Sequence, residues 1–486
     1  MNFNKITMKN ISWILFLLIL ITSCNKGINL PDLEASQDEV VVDHQGYDKN
    51  DKAPVVLLTA NAKWEVTSSA DWLSTNTSKG GTRTLVTIKV SPNFTDKERQ
   101  GLLTFKNENA EIAIKVIQGT GEVDIEQITY EVPVIFHVIY NEDDINNPDE
   151  KKRRHALNSQ DLQTILYTVN RFYGAPPTNK QEEEEDEKNL RERNGVPKIE
   201  TRIRFVLAKE DPSGKKLPNM GVTRTVMPEK FIDPYSVLNS KEGESYHDMA
   251  WPLDKYINVF VFPFKAADQD INQGMVLGVA SMPRVPESKP IDGLATLNER
   301  VTQFSNYTHC IVLNAEAFEE RVYGDNKTFL GERLGLTTLA HELGHYLGLS
   351  HTFTEIKQKD GGVLMDACED TDYCKDTPTY NRVSYIRTAR EILSAGGNYY
   401  TQVEGLLRRT DCSNAKFIST NIMDYEWSHS DRFTHDQVER MRHVLYYSPI
   451  VPGQKLIDFS STRAMDDSIE VEPHFSVCTS LCHHHH

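Results

Sequence analysis

The stretch His341-Glu342-Leu343-Gly344-His345-Tyr346-Leu347-Gly348-Leu349-Ser350-His351 decides how the rest of the chain is read. Thr337, Leu339, Ala340 and Leu343 make its approach helix-like, and no proline interrupts it. On a helix, His341 and His345 are four residues apart and share a face, so two imidazoles can reach one metal ion. Glu342 stands beside the first of them, where a carboxylate can hold water at the metal rather than bind the metal itself. Gly348 ends the helix, because glycine tolerates the left-handed conformation that turns a chain back. That turn brings His351 round as a third ligand. Three imidazoles and one open position make a catalytic zinc arrangement, not a closed structural one. Five positions are fixed, and a chain this long matches by chance with a probability on the order of 10⁻⁴.

The string resembles the metzincin signature, which is completed by a methionine turn further on. Ser419-Thr420-Asn421-Ile422-Met423-Asp424-Tyr425 supplies a candidate turn. The resemblance implies that Met423 lies beneath the metal site as a hydrophobic floor. It also implies that Tyr425 swings near the metal, where its hydroxyl can stabilise an oxyanion. A buried structural tyrosine is the competing reading.

The chain has 53 Lys and Arg against 70 Asp and Glu, a formal net charge of −17. That balance argues against nucleic acid as a partner and against electrostatic membrane binding. Residues 1–23 read as a lipoprotein signal peptide. Lys5 and Lys9 are followed by a short apolar run from Ile11 to Ile21, too short to span a bilayer. Leu20-Ile21-Thr22-Ser23-Cys24 resembles a bacterial lipobox, which implies lipidation of Cys24. An ordinary signal peptide with an incidental cysteine is the alternative. Asn25 in place of Asp resembles sorting to the outer membrane, periplasmic or surface-exposed. Export puts the remaining cysteines in an oxidising compartment, where they can pair. Cys368 with Cys412 is the preferred bridge, stapling the connection between the zinc helix and the methionine turn; Cys368 with Cys374 is the alternative.

Residues 24–37 read as a polar tether. From 38 to 121 the pattern is all-β: Val86, Ile88 and Val90 alternate with polar residues, as do Ile112, Ile114 and Val116. A small β-sandwich fits that size. Trp64-Glu65-Val66, Ala70-Asp71-Trp72-Leu73, Arg99-Gln100-Gly101-Leu102-Leu103-Thr104-Phe105 and Val116-Ile117-Gln118 resemble a BACON domain. That resemblance implies possible glycan binding through exposed tryptophans; the favoured reading places Trp64 and Trp72 in the core of a spacer. A linker over 119–128 leads to a catalytic domain spanning 128–458. Val132 to Tyr140 reads as a strand apolar on both faces, as in a covered sheet. A helix is expected from Leu157 to Tyr173, strands over 203–208, 257–262 and 311–313, and a short edge strand over 278–283. The acidic run Glu182 to Glu187 reads as a solvated loop. Residues 459–486 read as a loosely ordered tail, and its four terminal histidines, tag or native, are not counted as ligands. The fold class expected is therefore a BACON-like all-β sandwich followed by an α/β (α+β) metzincin domain with a twisted mixed sheet.

The surroundings of the motif resemble the pappalysin group of metzincins. The similarity is carried by the opening strand Val132 to Tyr140, by Phe205-Val206-Leu207-Ala208 with Asp211-Pro212 and Gly221 to Arg224, and by His351-Thr352-Phe353. Asp376-Thr377-Pro378, Phe433-Thr434, Gln437 and Arg440-Met441 extend it. It looks closest to a Bacteroidetes zinc-dependent metalloproteinase lipoprotein. What this implies is a zinc endopeptidase with His341, His345 and His351 holding Zn²⁺, Glu342 as general base, and protein or peptide substrates paired with the backbone of Val279 to Ser281. The acid-rich segment Asp366 to Asp376 departs from the group; it can hold calcium or be a solvated loop. Two rivals stand beside this reading. One is a carbohydrate- or host-surface-binding adhesin with a vestigial protease domain, and the other a zinc hydrolase of a non-peptide amide. No upstream cysteine is left to block the zinc, so any latency must work otherwise.

Overall fold

The computed structural model describes residues 30–480, other than 51, 71, 94–96, 122–127, 147, 149–158, 266–274, 316–333, 359–362, 397–398, 426, 454 and 457–470. The leader, Cys24, Cys482 and the terminal histidines lie outside the described residues, as does most of the expected linker. The chain divides into two compact units, 1–125 and 126–486.

The first unit is built of β1 (Leu33–Ala35), β2 (Glu39–Val42), β3 (Val55–Ala60), β4 (Trp64–Ser68), β5 (Leu73–Thr75), β6 (Lys79–Gly80), β7 (Arg83–Val90), β8 (Arg99–Lys106) and β9 (Glu111–Gln118). They form two sheets, ordered β1-β3-β7-β5 and β2-β9-β8-β4-β6. Alternation fixes which side chains face inward. Val86 and Ile88 of β7 and Ile114 and Val116 of β9 are fully buried, with Leu58, Phe105 and Trp64 in the same core. The Trp64 indole N–H donates to the Gly81 carbonyl at 3.1 Å, and its ring meets Phe105 edge-on. A Cβ on Gly80 would lie 2.2 Å from that indole, so the β6 backbone closes directly over it. Trp64 is core, as the spacer reading expects. Trp72 is half-buried, with the Arg99 guanidinium 4.4 Å from its ring centre. The expected tether over 24–37 is corrected at its end: Leu33 to Ala35 pair antiparallel with β3, because Leu33 can reach this core.

The second unit carries β10 (Tyr130–Tyr140), helix α1 (Ser159–Phe172), α2 (Lys180–Glu192), β11 (Ile203–Leu207), β12 (Val222–Val226), β13 (Ile257–Phe262) and β14 (Met275–Ser281). The short pair β15 (Arg284–Val285) and β16 (Ala295–Thr296) precedes β17 (Ile311–Asn314) and helix α3 (Leu334–Tyr346). Then come β18 (Ile356–Lys357), β19 (Val363–Leu364), α4 (Arg382–Ser394), α5 (Tyr399–Leu407), β20 (Arg408–Thr410), β21 (Lys416–Ile418), α6 (His435–Tyr447) and β22 (Phe475–Ser480). The main sheet runs β11-β10-β13-β17-β14-β22, with β12 also on β10. Strands β10 to β13 and β17 are parallel; β14 and β22 run antiparallel to their neighbours. Every residue of β13 is buried, as expected of a central strand covered on both faces. In α1, Leu162, Ile165, Leu166, Val169 and Phe172 form the buried stripe.

Three expectations are corrected here. The acidic run over 182–187 lies inside a helix, α2, rather than a loop. Asn179 caps it, and Arg171 holds Asp186 at 2.6 Å while Lys180 and Lys188 pair with Glu184 and Glu192. None of its residues is buried, so hydrophobic spacing gave no sign of it. The strand at 278–283 starts earlier, at Met275, and is not at the sheet edge. The loosely ordered tail over 459–486 contains β22, which pairs with β14 from Met275 opposite Ser480 to Ser281 opposite Phe475.

Two outcomes follow for stability. Trp64→Ala is expected to destabilise the first unit by about 3–5 kcal/mol, measured by urea unfolding of the full chain. In the second unit, burial pushes the His137 imidazole down to about 4 from 6.5, while its rings nitrogens engage Thr223 and Asn258. A folded-state value below the unfolded one leaves its contribution whole above the unfolded pKa and removes it as pH falls toward the folded pKa. Unfolding followed against pH should show a loss on the order of 3 kcal/mol from this group, and His137→Gln should remove that pH-dependent component.

Candidate metal centre

Helix α3 lies across β14 and β17 and beside α1. Leu339, Ala340 and Leu343 are buried along it, and the Tyr173 hydroxyl from the end of α1 donates to the Ala340 carbonyl at 2.9 Å. The helix ends as its sequence requires. Gly348 takes φ +93°, and the Leu349 N–H returns to the Gly344 carbonyl at 3.0 Å. The chain then reverses and brings His351 under the helix.

The three Nε2 atoms converge. His341 and His345 are 3.0 Å apart, His345 and His351 3.1 Å, and His341 and His351 3.2 Å. Nitrogens bonded to one tetrahedral zinc at about 2.0–2.1 Å lie at nearly this spacing. Each imidazole is oriented from behind. Nδ1 of His341 donates to the Ile422 carbonyl, that of His345 to the Leu349 carbonyl and that of His351 to Glu355 Oε2, all at 2.7 Å. A carbonyl only accepts, so the first two bonds fix the proton on Nδ1 and leave Nε2 as a lone pair. Burial pushes the His341 imidazole down to about 3 and that of His345 well below its ordinary value. Both rings are therefore neutral at physiological pH, the form that binds a metal. Among the described residues this is the one group of three or more His, Cys, Asp or Glu side chains close enough to hold an ion.

Glu342 is fully buried, and among the described residues neither carboxyl oxygen has a hydrogen-bond partner. Burial pushes its carboxyl well above the ordinary range. A buried, unpartnered carboxyl beside three convergent imidazoles is the expected signature of a site completed by a cation and water. The donor set fits zinc: three imidazoles, with no further His, Cys, Asp or Glu grouped with them among the described residues. Room for Glu342 is made by Gly278 of β14, where a Cβ would lie 2.7 Å from Oε1.

Met423 is fully buried, and a Cβ on Gly344 would lie 2.5 Å from its sulfur. The thioether therefore packs directly against the helix between the first two histidines. Tyr425 is buried with its ring 4.4 Å from His351 and 5.6 Å from His341, and its hydroxyl donates to the Val477 carbonyl. The Arg382 guanidinium lies 4.8 Å from the Tyr425 ring centre. Cys368 and Cys412 form the expected disulfide, closing a 44-residue separation, and Cys374 is buried and free. Among the described residues the carboxylates of the acidic segment form no ion-holding group. Asp366 accepts from Asn381, Asp372 from Thr377 and the Cys374 amide, and Asp376 from the Asp436 amide.

Three residues of the site were missed in the sequence. Glu355, four residues past His351, orients that ligand and was legible in principle as a carboxylate close to it in sequence. Gly278 and Arg382 carry no local signal, because only the fold brings them to Glu342 and Tyr425.

Residues 322–446 match the family described as pregnancy-associated plasma protein-A, a peptidase family, and residues 62–119 match BACON, a putative N-terminal binding domain. No curated protein matches. Among solved structures, mature mirolysin of Tannerella forsythia in complex with a cleaved peptide is similar at 22% identity and TM-score 0.38, over 65% of this chain and 90% of that one. A promirolysin mutant of the same organism is similar at 21% identity and TM-score 0.39, over 66% and 82%.

Glu355→Ala frees the Nδ1 of His351 and is expected to weaken zinc binding by about 10–100-fold. Competition against a chromophoric chelator measures it, and Glu355→Gln, which can still accept from Nδ1, should lie between the two.

Proposed function

With residues 126–486 as a zinc metalloprotease unit of the pappalysin type, we propose that the chain is an exported, lipid-anchored endopeptidase in which Glu342 is the general base. The observation that carries this reading is the buried, unpartnered Glu342 carboxylate set against three imidazoles whose Nδ1 protons are already committed. Zinc held by His341, His345 and His351 supplies Lewis acidity, which acidifies water and polarises a scissile carbonyl. Glu342 takes the proton of the attacking water and delivers it to the leaving amine. Its isolation from other donors leaves its oxygens free for that exchange. Tyr425, beside His351, donates to the oxyanion that develops on the substrate. An extended peptide pairs with the backbone of β14 across Gly278 to Ser281.

The sandwich unit serves as a spacer in this reading. Trp64 is sealed in its core and cannot stack on a sugar, which takes support from the adhesin alternative. The positively charged, apolar and small-residue order of the leader supports export with lipid on Cys24 at the outer membrane. The substrates are proteins or peptides.

Glu342→Ala in the full chain should keep about one zinc per chain and lose new peptide termini from a mixed protein digest by at least ~10². Zinc retention with full activity in the variant would remove Glu342 from the chemistry. Chelation of wild type should abolish cleavage, and zinc should restore it.

A further inference from the structure

Strand β22 does more than complete the sheet. It lies on the backbone of β14 that the proposed peptide path uses, with Val477 opposite Val279, Ser476 opposite Ala280 and Phe475 opposite Ser281. Cys478 is in register with Gly278, the glycine that makes room for Glu342. Two contacts carry the strand into the metal centre. The Ser476 hydroxyl lies 3.1 Å from His345 Nε2, the nitrogen that faces the metal position, and so stands where the metal site opens toward β14. The Val477 carbonyl accepts from the Tyr425 hydroxyl, the donor assigned to the substrate oxyanion.

The approach to the strand is tied down as well. The Asn306 amide donates to the Val471 carbonyl at 2.8 Å, Arg284 donates to the Glu472 carbonyl, and the Met282 N–H donates to the His474 carbonyl at 2.8 Å. Lys357 meets His474, and Phe475 packs with Tyr307. Phe475 and Val477 are half-buried against the apolar cluster that includes Phe262, Val279 and Val312. A segment joined by backbone pairing, side-chain anchoring and two contacts at the reactive centre excludes any other extended peptide from the same edge.

We propose that the C-terminal strand Phe475–Ser480 is an intramolecular, substrate-like inhibitor that keeps the enzyme latent until it is displaced. The proposal rests on the peptidase reading above. It follows from placement alone: an extended chain on β14, with its carbonyl at Tyr425 and a hydroxyl at His345, occupies both the backbone subsites and the catalytic position. A substrate must compete with a tethered occupant, so apparent affinity and turnover scale with the fraction of molecules in which the strand has lifted.

The test uses the full chain carrying Phe475→Glu and Val477→Glu, which set charge into the apolar cluster and touch no metal ligand. A fluorescent peptide with the sequence of residues 471–480 reports strand docking by anisotropy, with and without zinc. Hydrolysis of an unfolded protein reports activity. The released variant is expected to bind the peptide and to cleave about tenfold faster or more, as for a closed state of about 90%. Wild type should bind the peptide at least that much more weakly. Asn306→Ala, which removes only the bond to Val471, should move both readouts in the same direction by less, and covers the case in which the double variant does not fold. Equal peptide binding and equal cleavage in wild type and variants would overturn the proposal. Peptide binding gained without cleavage of any substrate would instead keep the docking and overturn the peptidase reading on which latency depends.

Discussion

Three buried imidazole nitrogens within 3.2 Å of one another are the constraint to which the catalytic unit is fitted. Such a cluster is costly unless something fixes each ring, since buried polar atoms lose water without regaining partners. The structure answers with three different supports: a carbonyl from the methionine turn, a carbonyl from the turn after the helix, and a carboxylate from the following segment. The elements beyond them exist to hold those supports. The Cys368–Cys412 bridge and the Tyr380–Asp424 hydrogen bond tie the intervening chain to the methionine turn. The α6 capping box places Gln437 against Asn421, in the same turn that delivers Ile422.

Tight packing around the helix then explains two glycines. At Gly344 the missing Cβ admits the Met423 sulfur, and at Gly278 it admits the Glu342 carboxyl. Each is a place where a Cβ would force the Met423 or Glu342 side chain to shift. The floor and one wall of the site are therefore set by absent atoms, and this is why the helix and β14 can lie so near to each other.

The site was legible in the sequence to the extent that its chemistry is local. His341, Glu342, His345, Gly348 and His351 lie within one helix and one turn, and Met423 and Tyr425 follow in a turn of their own. The sandwich was legible for a related reason, since Val86, Ile88, Ile114 and Val116 alternate faces along continuous strands. What escaped was contact across distance. Gly278 meets Glu342 through the sheet, and Arg382 meets Tyr425 through a helix start. The α2 helix escaped because it is held by Asn179 and ion pairs rather than by an apolar stripe. The strand Phe475–Ser480 escaped because Ser476 and Thr479 dilute its pattern, and its partner, not its composition, makes it a strand.

A strand offered to an extended peptide, as proposed for β14, is also an open edge of a sheet. Strand β14, Met275-Val276-Leu277-Gly278-Val279-Ala280-Ser281, is an apolar one, of the kind on which unrelated chains add as further strands. Covered by Phe475-Ser476-Val477-Cys478-Thr479-Ser480, that edge is exchanged for a short one with hydroxyl-bearing residues. Because this cover follows every other described strand of the sheet in sequence, a chain that has not yet reached Phe475 carries the bare edge. The edge is therefore covered only once residues 475–480 have been added.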